Sequence, residues 1–265
     1  MKVAVIMPLF NTNGKWIKES VESILIAMDY FKKERNGIAK LFIGNDGSTN
    51  KDTLEVLDYY KTNPNIEIIN NRKNLGCPNT INKLIYKCTD GYEFICYIDS
   101  DDIMMFNRIV IQYDLMNDPE NKDVTILGTN TQNLINWHNK VRIIRELYYK
   151  SYKTNDIDIL YHNPFCHPTI FYRRKDIVDN KIKYNIKDKY SSDYDFYCQI
   201  LSHGLYGKFI PDALTYYRQS PNMISRKYEK EITDNLGKYK EKYNISDLYR
   251  LNFKNEIIKL SKVYE

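Results

Sequence analysis

The chain has 265 residues, and because about 150 residues per domain is typical, its length fits one large domain or one domain with an appendage. Hydrophobic residues make up 43% and charged residues 28%, with only 10 Gly and 8 Pro, which excludes collagen-like, low-complexity and predominantly disordered chains. The 39 basic and 34 acidic residues leave a net charge of +5. That charge is too small to indicate a nucleic-acid-binding protein, but it is compatible with a polyanionic small molecule as ligand.

Cysteine usage and hydropathy predict the compartment. The five cysteines form no Cys-x-x-Cys pair, and their odd number fits free thiols in a reducing environment better than a disulfide framework. The first apolar run is too short for a signal peptide, and no stretch approaches the roughly 18 uninterrupted apolar residues of a membrane span. We therefore expect a cytoplasmic protein without a transmembrane segment.

The first hundred residues alternate between strand and helix patterns. Short apolar runs predict strands, and apolar residues at helical spacing predict helices, in the order strand 3–7, helix 16–31, strand 41–43, helix 52–60, strand 66–69, helix 74–88 and strand 94–98. Pro8 is expected to end the first strand, and Thr49 with Asp52 has the spacing of a capping box. This alternation predicts an α/β fold with a mostly parallel central sheet flanked by helices.

After about residue 124 the alternation becomes irregular. The sequence predicts strands over 124–127, 169–172 and 213–218 and a short helix over 193–201. From Tyr228 onward, Lys and Glu are dense and apolar residues recur at helical spacing, which predicts a helical C-terminal extension over 227–265. Two roles stay open for it: a solvated helix packed on the domain of residues 1–226, or a contact surface for a membrane or a partner.

Polar clusters follow the four predicted strands of the first half, at residues 8–11, 44–48, 70–74 and 99–102. In open α/β sheets, ligands bind beyond the carboxyl ends of the strands. The last cluster holds Asp99, Asp101 and Asp102, and carboxylates brought this close raise one another's pKa unless a cation relieves the repulsion. Hard carboxylate oxygens suit Mg²⁺ or Mn²⁺, whereas the alternative interpretation is a solvated acidic turn or a helix N-cap.

Other polar residues allow two interpretations each. Asp46 either shapes an Asp-Gly turn or accepts from a base N–H or a ribose hydroxyl. Arg72 either holds diphosphate oxygens with its planar fork or solvates a loop. Asp193 and Asp195 open a helix, where an acid serves the helix dipole or acts as a general base. His167 is expected in a pocket wall, and zinc is not expected because thiols and imidazoles do not repeat at ligand spacing.

Taken in order, these segments resemble the inverting, GT-A-fold glycosyltransferases of family 2. The resemblance extends over about residues 1–226 and is carried by residues 5–11, 43–49, 74–76, 97–102, 167–169, 192–196 and 216–219. It implies a nucleotide-binding half over 1–102 and an acceptor and catalytic half over 103–226. It also implies a nucleotide-diphosphate sugar as donor substrate, usually a UDP-sugar.

The resemblance implies roles for individual residues. It places the donor against a set of strand-end residues, namely Pro8, Phe10, Asn11, Asp46, Arg72, Asp99 and Ser100. Asp101 and Asp99 match the family's Asp-x-Asp motif and are expected to hold Mn²⁺ or Mg²⁺ on the diphosphate. Asp193 matches the Asp of the Glu-Asp motif and is expected to be the general base, while the acceptor pocket is expected to contain His167, Asp195 and Arg218. The implied reaction is a direct displacement that inverts the anomeric carbon.

Three positions depart from the family pattern. Asn45 replaces the first Asp of Asp-Asp-Gly-Ser, Ser192 replaces the Glu of Glu-Asp, and Ser220 stands where many relatives have His. These departures keep open an alternative function, a non-catalytic nucleotide-sugar-binding or glycan-binding module on the same fold. The acceptor also stays open between a glycan, a lipid-linked molecule, a protein and a small molecule, as do a peripheral membrane contact and homo-oligomerisation. Nucleic acid is not an expected partner.

Overall fold

The structure is a computed structural model that describes residues 1–137, 140–145, 152–154, 163, 165–219 and 227–243. Its first half is a parallel sheet of four strands in the order β3-β2-β1-β4, with a helix after each of the first three. The strands are β1 (Lys2–Leu9), β2 (Ile38–Asn45), β3 (Ile66–Asn70) and β4 (Phe94–Tyr97). The helices are α1 (Gly14–Arg35), α2 (Lys51–Tyr60) and α3 (Cys77–Lys83), the last continued by a π-helical turn over Leu84–Cys88.

The second half extends the same sheet. It contains β5 (Ile103–Met104), α4 (Arg108–Asn117), β6 (Val124–Trp137), β7 (Lys140–Arg145), β8 (Tyr152–Thr154), β9 (Phe171–Arg173), α5 (Arg174–Asp179), α6 (Ser192–Ser202), β10 (Tyr206–Gln219) and α7 (Glu229–Lys242). The order continues β4-β9-β6-β10-β5, with β7 beside β6 and β8 beside β10. Strand β9 is antiparallel to both neighbours, whereas β6 and β10 are parallel. The sheet is therefore mixed as a whole, and the predicted parallel arrangement holds for its first four strands.

Both faces of the sheet are covered, which explains the continuous apolar runs of its central strands. Along β1, Val3, Val5 and Met7 belong to a core shared with α1, α2 and α4. Ala4 and Ile6 point to the other face, where the core includes residues of α3 and α6 and Tyr239 of α7. Alternation along one strand thus assigns its side chains to two separate cores.

Two local predictions are wrong. Pro8 lies inside β1, opposite Gly44, rather than ending it, and its missing N–H is tolerated because β4 pairs with β1 only as far as Ile6. The capping box does not form: α2 has Asn50 at its N-cap without a side-chain bond, and the Asp52 carboxylate accepts instead from the N–H of Gly14 at the start of α1. A Cβ at Gly14 would lie 2.4 Å from that carboxylate, so a larger residue there would displace the Asp52 side chain from this bond.

The other predicted elements are present with shifted ends. The helix predicted over 74–88 begins at Cys77, and residues 167–169 form a 3₁₀ turn ahead of β9. The strand predicted over 213–218 is the second part of the longer β10. Helix α7 confirms the helical pattern after Tyr228, whereas Ser220, the boundary at residue 226 and residues 244–265 lie outside the described residues.

The cysteines are free, as expected. Among the helices that the structure describes, none combines the length and the apolar character needed to cross a bilayer.

Candidate active site

Asn11 joins the loop after β1 to the loop after β2. It has a left-handed backbone, with φ of 49°, and its N–H donates to Ser48 Oγ over 2.9 Å. Its side-chain oxygen accepts from the N–H groups of Thr49 (2.8 Å) and Asn50 (3.1 Å). The amide oxygen therefore already accepts two hydrogen bonds within the protein. The neighbouring residue Phe10 is 45% exposed.

Asp46 joins the loop after β2 to the loop after β3. Its carboxylate is 3% exposed and accepts from the N–H groups of Leu75 (2.9 Å) and Gly76 (2.8 Å) and from Asn71 Nδ2 (2.9 Å). Gly47 has φ of +73°, and a Cβ there would lie 2.5 Å from the Lys73 backbone. These contacts make Asp46 a structural anchor of the loop, and its predicted contact with the donor stays a prediction.

Asn45, the first departure from the family pattern, has a structural explanation. Its Nδ2 donates to Asn70 Oδ1 over 2.8 Å, and its Oδ1 accepts from the N–H of Ser48 over 3.0 Å. An ionised aspartate accepts hydrogen bonds but cannot donate one, so the amide fits this pairing, in which Asn70 accepts, without a turn of the Asn70 side chain.

A cavity of about 600 Å³ opens at the carboxyl end of β4. It brings together seven of the residues singled out by sequence or structure, namely Asp99, Ser100, Asp101, Asn163, His167, Asp193 and Arg218. Arg72 lies elsewhere, in a surface depression of about 520 Å³ that also contains Lys73 and Lys83. The other predicted donor contacts, Pro8, Phe10, Asn11 and Asp46, lie outside the described lining of the cavity.

Asp99 and Asp101 face the cavity at its acidic end. Tyr97 donates its hydroxyl hydrogen to Asp99 Oδ1 over 2.6 Å, but burial and the neighbouring Asp101 raise the pKa of Asp99 to about 7. Burial also raises the pKa of Asp101. Ser100, between them, shares a hydrogen bond of 2.7 Å with Thr12.

Asp102 points away from the cavity. It is fully buried, its Oδ1 accepts from the N–H of Arg218 over 2.8 Å, and its Oδ2 has no hydrogen-bond partner among the described residues. Burial and the carboxylates of Asp99 and Asp101 raise the pKa of Asp102 well above its ordinary value. Its second carboxyl oxygen therefore adds to the electrostatic cost of assembling three acids at this strand end.

The donor set fits a divalent cation held together with phosphate. Within the described ranges, no group of three or more His, Cys, Asp or Glu side chains is arranged as a metal site. Two carboxylates, Asp99 and Asp101, face the cavity, and Mg²⁺ characteristically takes one or two carboxylates and completes its shell with substrate phosphates and water. The residues present therefore match a metal that arrives with the donor.

Arg218 braces the acidic end from behind. It is 5% exposed, its Nε donates to the carbonyl of Asp101 over 2.7 Å, and its Nη2 donates to Glu19 over 2.6 Å. Its guanidinium also lies 5.1 Å from the centre of the Trp16 ring. Arg218 lines the cavity, and two of its five side-chain N–H groups are already used within the protein.

Asp193 lies in the first turn of α6 and lines the cavity. Its Oδ2 accepts from Asn163 Nδ2 over 2.7 Å, and burial raises its pKa. A raised pKa makes this carboxylate a stronger base toward a hydroxyl. Asn163, which orients it, was missed because no motif marks it in the sequence.

Asp195, which was predicted in the acceptor pocket, lies outside the described lining of the cavity. It is 1% exposed and accepts from Gln199, Lys242 and Tyr243, at 2.6, 3.1 and 3.0 Å. Two residues along a helix turn the side chain by about 200°, so Asp193 and Asp195 cannot face the same cavity. Asp195 binds α7 instead.

His167 forms part of the cavity wall, as predicted. Its Nε2 is 2.9 Å from the Tyr184 hydroxyl, and its ring centre lies 4.0 Å from that of Tyr97. Burial lowers the pKa of His167 to about 3, so the imidazole is neutral at ordinary pH.

Arg108 is a buried cation that sequence reasoning missed. It is fully buried, and its guanidinium donates to five acceptors, the carbonyl oxygens of Tyr97, Pro168 and Ile170 and the side chains of Gln112 and Thr215, at 2.8–3.3 Å. Burial lowers its pKa, although the group stays protonated. These bonds hold the end of β4 and the turn beside His167. Arg108 therefore positions both of these segments of the cavity wall.

Known proteins agree with this architecture. Two curated relatives carry the name "Uncharacterized glycosyltransferase": one from Haemophilus influenzae is 29% identical over 94% of this chain and 74% of its own length. The other, from Methanocaldococcus jannaschii, is 28% identical over 84% of this chain and 73% of its own. Their names support glycosyl transfer.

Solved structures show the same fold. The chain superposes on the crystal structure of S. aureus TarS 1-349 with a TM-score of 0.65 and 19% identity, over 90% of this chain. It spans 65% of that TarS chain. The TarS complex with UDP-GlcNAc gives a TM-score of 0.66 at 20% identity, over 85% of this chain and 61% of the other. These matches establish the fold as that of GT-A structures.

A family model covers most of the sheet and the acidic cluster after β4. The model described as "Glycosyl transferase family 2" matches residues 4–180, which is more than half of the chain. The match includes β1 to β9, the acidic cluster of residues 99–102 and His167. This chain belongs to glycosyl transferase family 2.

Proposed function

We propose that the protein is a metal-dependent, inverting glycosyltransferase that moves a sugar from a UDP-sugar to an acceptor hydroxyl. The observation that carries this proposal is that Asp193 lines the same cavity as Asp99 and Asp101. The raised pKa of Asp99, to which Asp193 contributes, supports a short separation between these acids. The UDP and UDP-GlcNAc complexes of TarS support a uridine nucleotide as the first donor to test.

Asp193 acts on the acceptor. Its carboxylate, oriented by the bond from Asn163, accepts the proton of the acceptor hydroxyl while the oxygen attacks the anomeric carbon of the donor. A single attack of this kind forms the new glycosidic bond as the bond to UDP breaks, so the anomeric configuration inverts. The proton ends on Asp193, and the bonding electrons leave with UDP.

The acidic end serves the leaving group. Asp99 and Asp101 would hold Mn²⁺ or Mg²⁺ on the diphosphate, and such a cation would supply positive charge against the departing UDP. Tyr97 keeps Asp99 in place by donating to its carboxylate. The brace from Arg218 to the carbonyl of Asp101 fixes the neighbouring backbone.

Two departures from the family pattern are compatible with this function. Asn45 is paired with Asn70 and keeps the loop after β2 closed. Ser192 lines the cavity beside Asp193, which leaves the base itself unaltered. Neither residue removes a group that the proposed reaction needs.

The test is nucleotide release from a panel of donors. UDP-GlcNAc, UDP-glucose, UDP-galactose, GDP-mannose and dTDP-glucose are each incubated with the protein, with and without MnCl₂. We expect one UDP-sugar to release UDP only in the presence of the metal, and NMR of the product to show inversion at the anomeric carbon.

Two outcomes would contradict the proposal. Retention of the anomeric configuration would exclude the single displacement. Donor binding without release, across a broad set of glycans, peptides and polyols as acceptors, would favour the non-catalytic binding module.

A further inference from the structure

Helix α7 reaches the catalytic cavity although it lies outside residues 4–180, the part matched by the family model. Ile232 and Leu236, one turn apart on α7, line the same cavity as Asp193. Against the described residues both are only partly buried, and Leu236 also packs on the core that contains Tyr239. Two apolar side chains in the lining of a cavity of polar chemistry require an explanation.

The position of α7 is fixed by carboxylates on both sides of Asp193. Tyr239 donates to Asp188 Oδ2 over 2.7 Å, and Lys242 donates to Asp195 over 3.1 Å. Asp188 also accepts from the N–H groups of Tyr190 (2.9 Å) and Ser191 (3.0 Å), immediately before α6. Helix α7 and the turn that carries the base are therefore held by the same groups.

The lining of the cavity combines two kinds of chemistry. Asp99 and Asp101 follow β4 and suit a metal and the diphosphate of the donor. Ile232 and Leu236 are the residues that α7 contributes to the lining, and neither is charged. Since a diphosphate gains nothing from aliphatic side chains, these two residues are available to the second substrate.

We propose that α7 forms the acceptor wall of the cavity, and that the acceptor is a pyranoside whose C–H face packs on Ile232 and Leu236. This inference rests on the proposed function, and it adds the class of acceptor. A pyranose ring carries hydroxyls on its rim and C–H groups on its faces, so one ring can present a hydroxyl to Asp193 and an apolar face to α7. An open-chain polyol has no such face, and a serine hydroxyl lies one carbon from a polar backbone.

The test observes the wall directly, without requiring turnover. Protein labelled with ¹³C at the isoleucine methyl groups is titrated with methyl glucopyranoside, methyl galactopyranoside and methyl N-acetylglucosaminide, and with ribitol as the polyol. The Ile232 signal is assigned by its loss in Ile232→Val. We expect a pyranoside to shift this signal in a saturable manner, and ribitol to leave it in place.

Matched variants measure the contribution of the wall. Leu236→Asn is expected to weaken pyranoside binding about tenfold, whereas Leu236→Met keeps it within about threefold because it preserves an apolar side chain of similar volume. Asp234→Ala changes an exposed residue of the same helix and is expected to bind like the wild type. If Leu236→Asn does not unfold cooperatively, Ile232→Ser replaces it.

Each outcome decides between the wall and the transfer reaction. If no pyranoside shifts the Ile232 signal while a UDP-sugar is turned over, the assignment of α7 as the acceptor wall is wrong and the proposed function stands. If a pyranoside moves the signal but no donor is ever hydrolysed or transferred, the wall stands and the proposed function fails. An equal shift with ribitol would overturn the assignment to pyranosides.

Discussion

The two halves of the sheet hold their site residues in different ways. Before residue 102, neighbouring strand-end loops hold one another: Asn11 binds the backbone of Thr49, and Asp46 binds that of Gly76. After residue 102, the contacts are remote in sequence: Arg108 reaches Pro168, 60 residues away, and Arg218 reaches Glu19, 199 residues away. The first half, the proposed donor side, is built by contacts between adjacent strand-end loops, whereas the second half, the proposed acceptor side, requires the whole chain to be folded.

Asp101→Ala tests the acidic end of the donor side and has the largest expected effect. Asp101 would help to hold the metal that offsets the charge on the departing UDP. Its removal is therefore expected to lower metal-stimulated UDP release by about 10³-fold. The measurement is the initial rate of UDP release at saturating donor and MnCl₂. Asp212→Ala, at an exposed aspartate of β10, is the control. Wild-type rates in Asp101→Ala would remove this residue from the reaction.

Arg108→Met tests whether long-range contacts hold the acceptor side. The change removes the guanidinium from three buried carbonyl oxygens, of which only that of Ile170 is shown to keep another donor, the N–H of Tyr97. We therefore expect the free energy of unfolding to fall by about 3 kcal/mol. Chemical denaturation measures this loss. Arg35→Met is the matched control, because Arg35 forms a surface ion pair with Asp114 and such pairs contribute about 0–1 kcal/mol. Equal losses in the two variants would contradict the bracing role of Arg108.

Asp193→Asn separates chemistry from binding. Loss of the general base is expected to lower transfer by about 10²-fold, while donor affinity by calorimetry stays close to the wild-type value. Asp195→Asn, two residues away and turned toward α7, is expected to lower transfer by a much smaller factor. The reverse ranking of these two variants would make Asp195 the base.

Asp46→Asn tests the local contacts of the donor side. The amide replaces an acceptor with a donor opposite the N–H groups of Leu75 and Gly76, so we expect a loss of about 1.5 kcal/mol in the free energy of unfolding. We also expect weaker UDP binding, since the loop after β3 loses its anchor. Asp29→Asn, at an exposed position of α1, is the control. Weaker binding without lower stability would indicate a direct contact between Asp46 and the nucleotide.

His167→Gln gives the smallest effect, visible only as a change in pH dependence. Native His167 stays neutral down to about pH 3, whereas in the unfolded chain it takes up a proton near pH 6.5. Between these values the unfolded state binds more protons, so the free energy of unfolding falls as the pH is lowered. We expect His167→Gln to remove about 1 kcal/mol of this loss at pH 5.5, and His203→Gln, at an exposed histidine, to retain it. Parallel pH profiles for both variants would contradict the buried, neutral state.

Sequence reasoning was most successful where structure follows local pattern. The four parallel strands, the acidic residues after β4 and Asp193 at the start of α6 were predicted, because apolar runs and strand-end motifs carry this information. The GT-A fold and the family followed from the ordered motifs and are confirmed. The error at Asp52 concerned only the partner of the acid. It was expected to bind within its own helix, and its carboxylate accepts from the first turn of α1 instead.

Pattern failed where a residue acts through partners remote in the chain. Arg108 follows the acidic motif as an ordinary charged residue at a helix start, and nothing near it indicates five buried acceptors. Asp195 resembled a second site acid until α7 supplied Lys242 and Tyr243. Arg72 lines a separate surface depression, and its predicted contact with the donor stays a prediction. Contacts between distant parts of the chain decided the cases of Arg108 and Asp195.

The buried guanidinium of Arg108 also limits how such enzymes can be recombined. It belongs to α4, in the second half, but it binds the carbonyl of Tyr97 at the end of β4, in the first. A chimera that joins the first half of this chain to the second half of a relative would therefore need an arginine of matching reach in the incoming half. Without one, buried carbonyl oxygens at the junction would lose the hydrogen bonds that the guanidinium supplies. Exchange of acceptor halves is consequently expected to succeed only between relatives that share this cation.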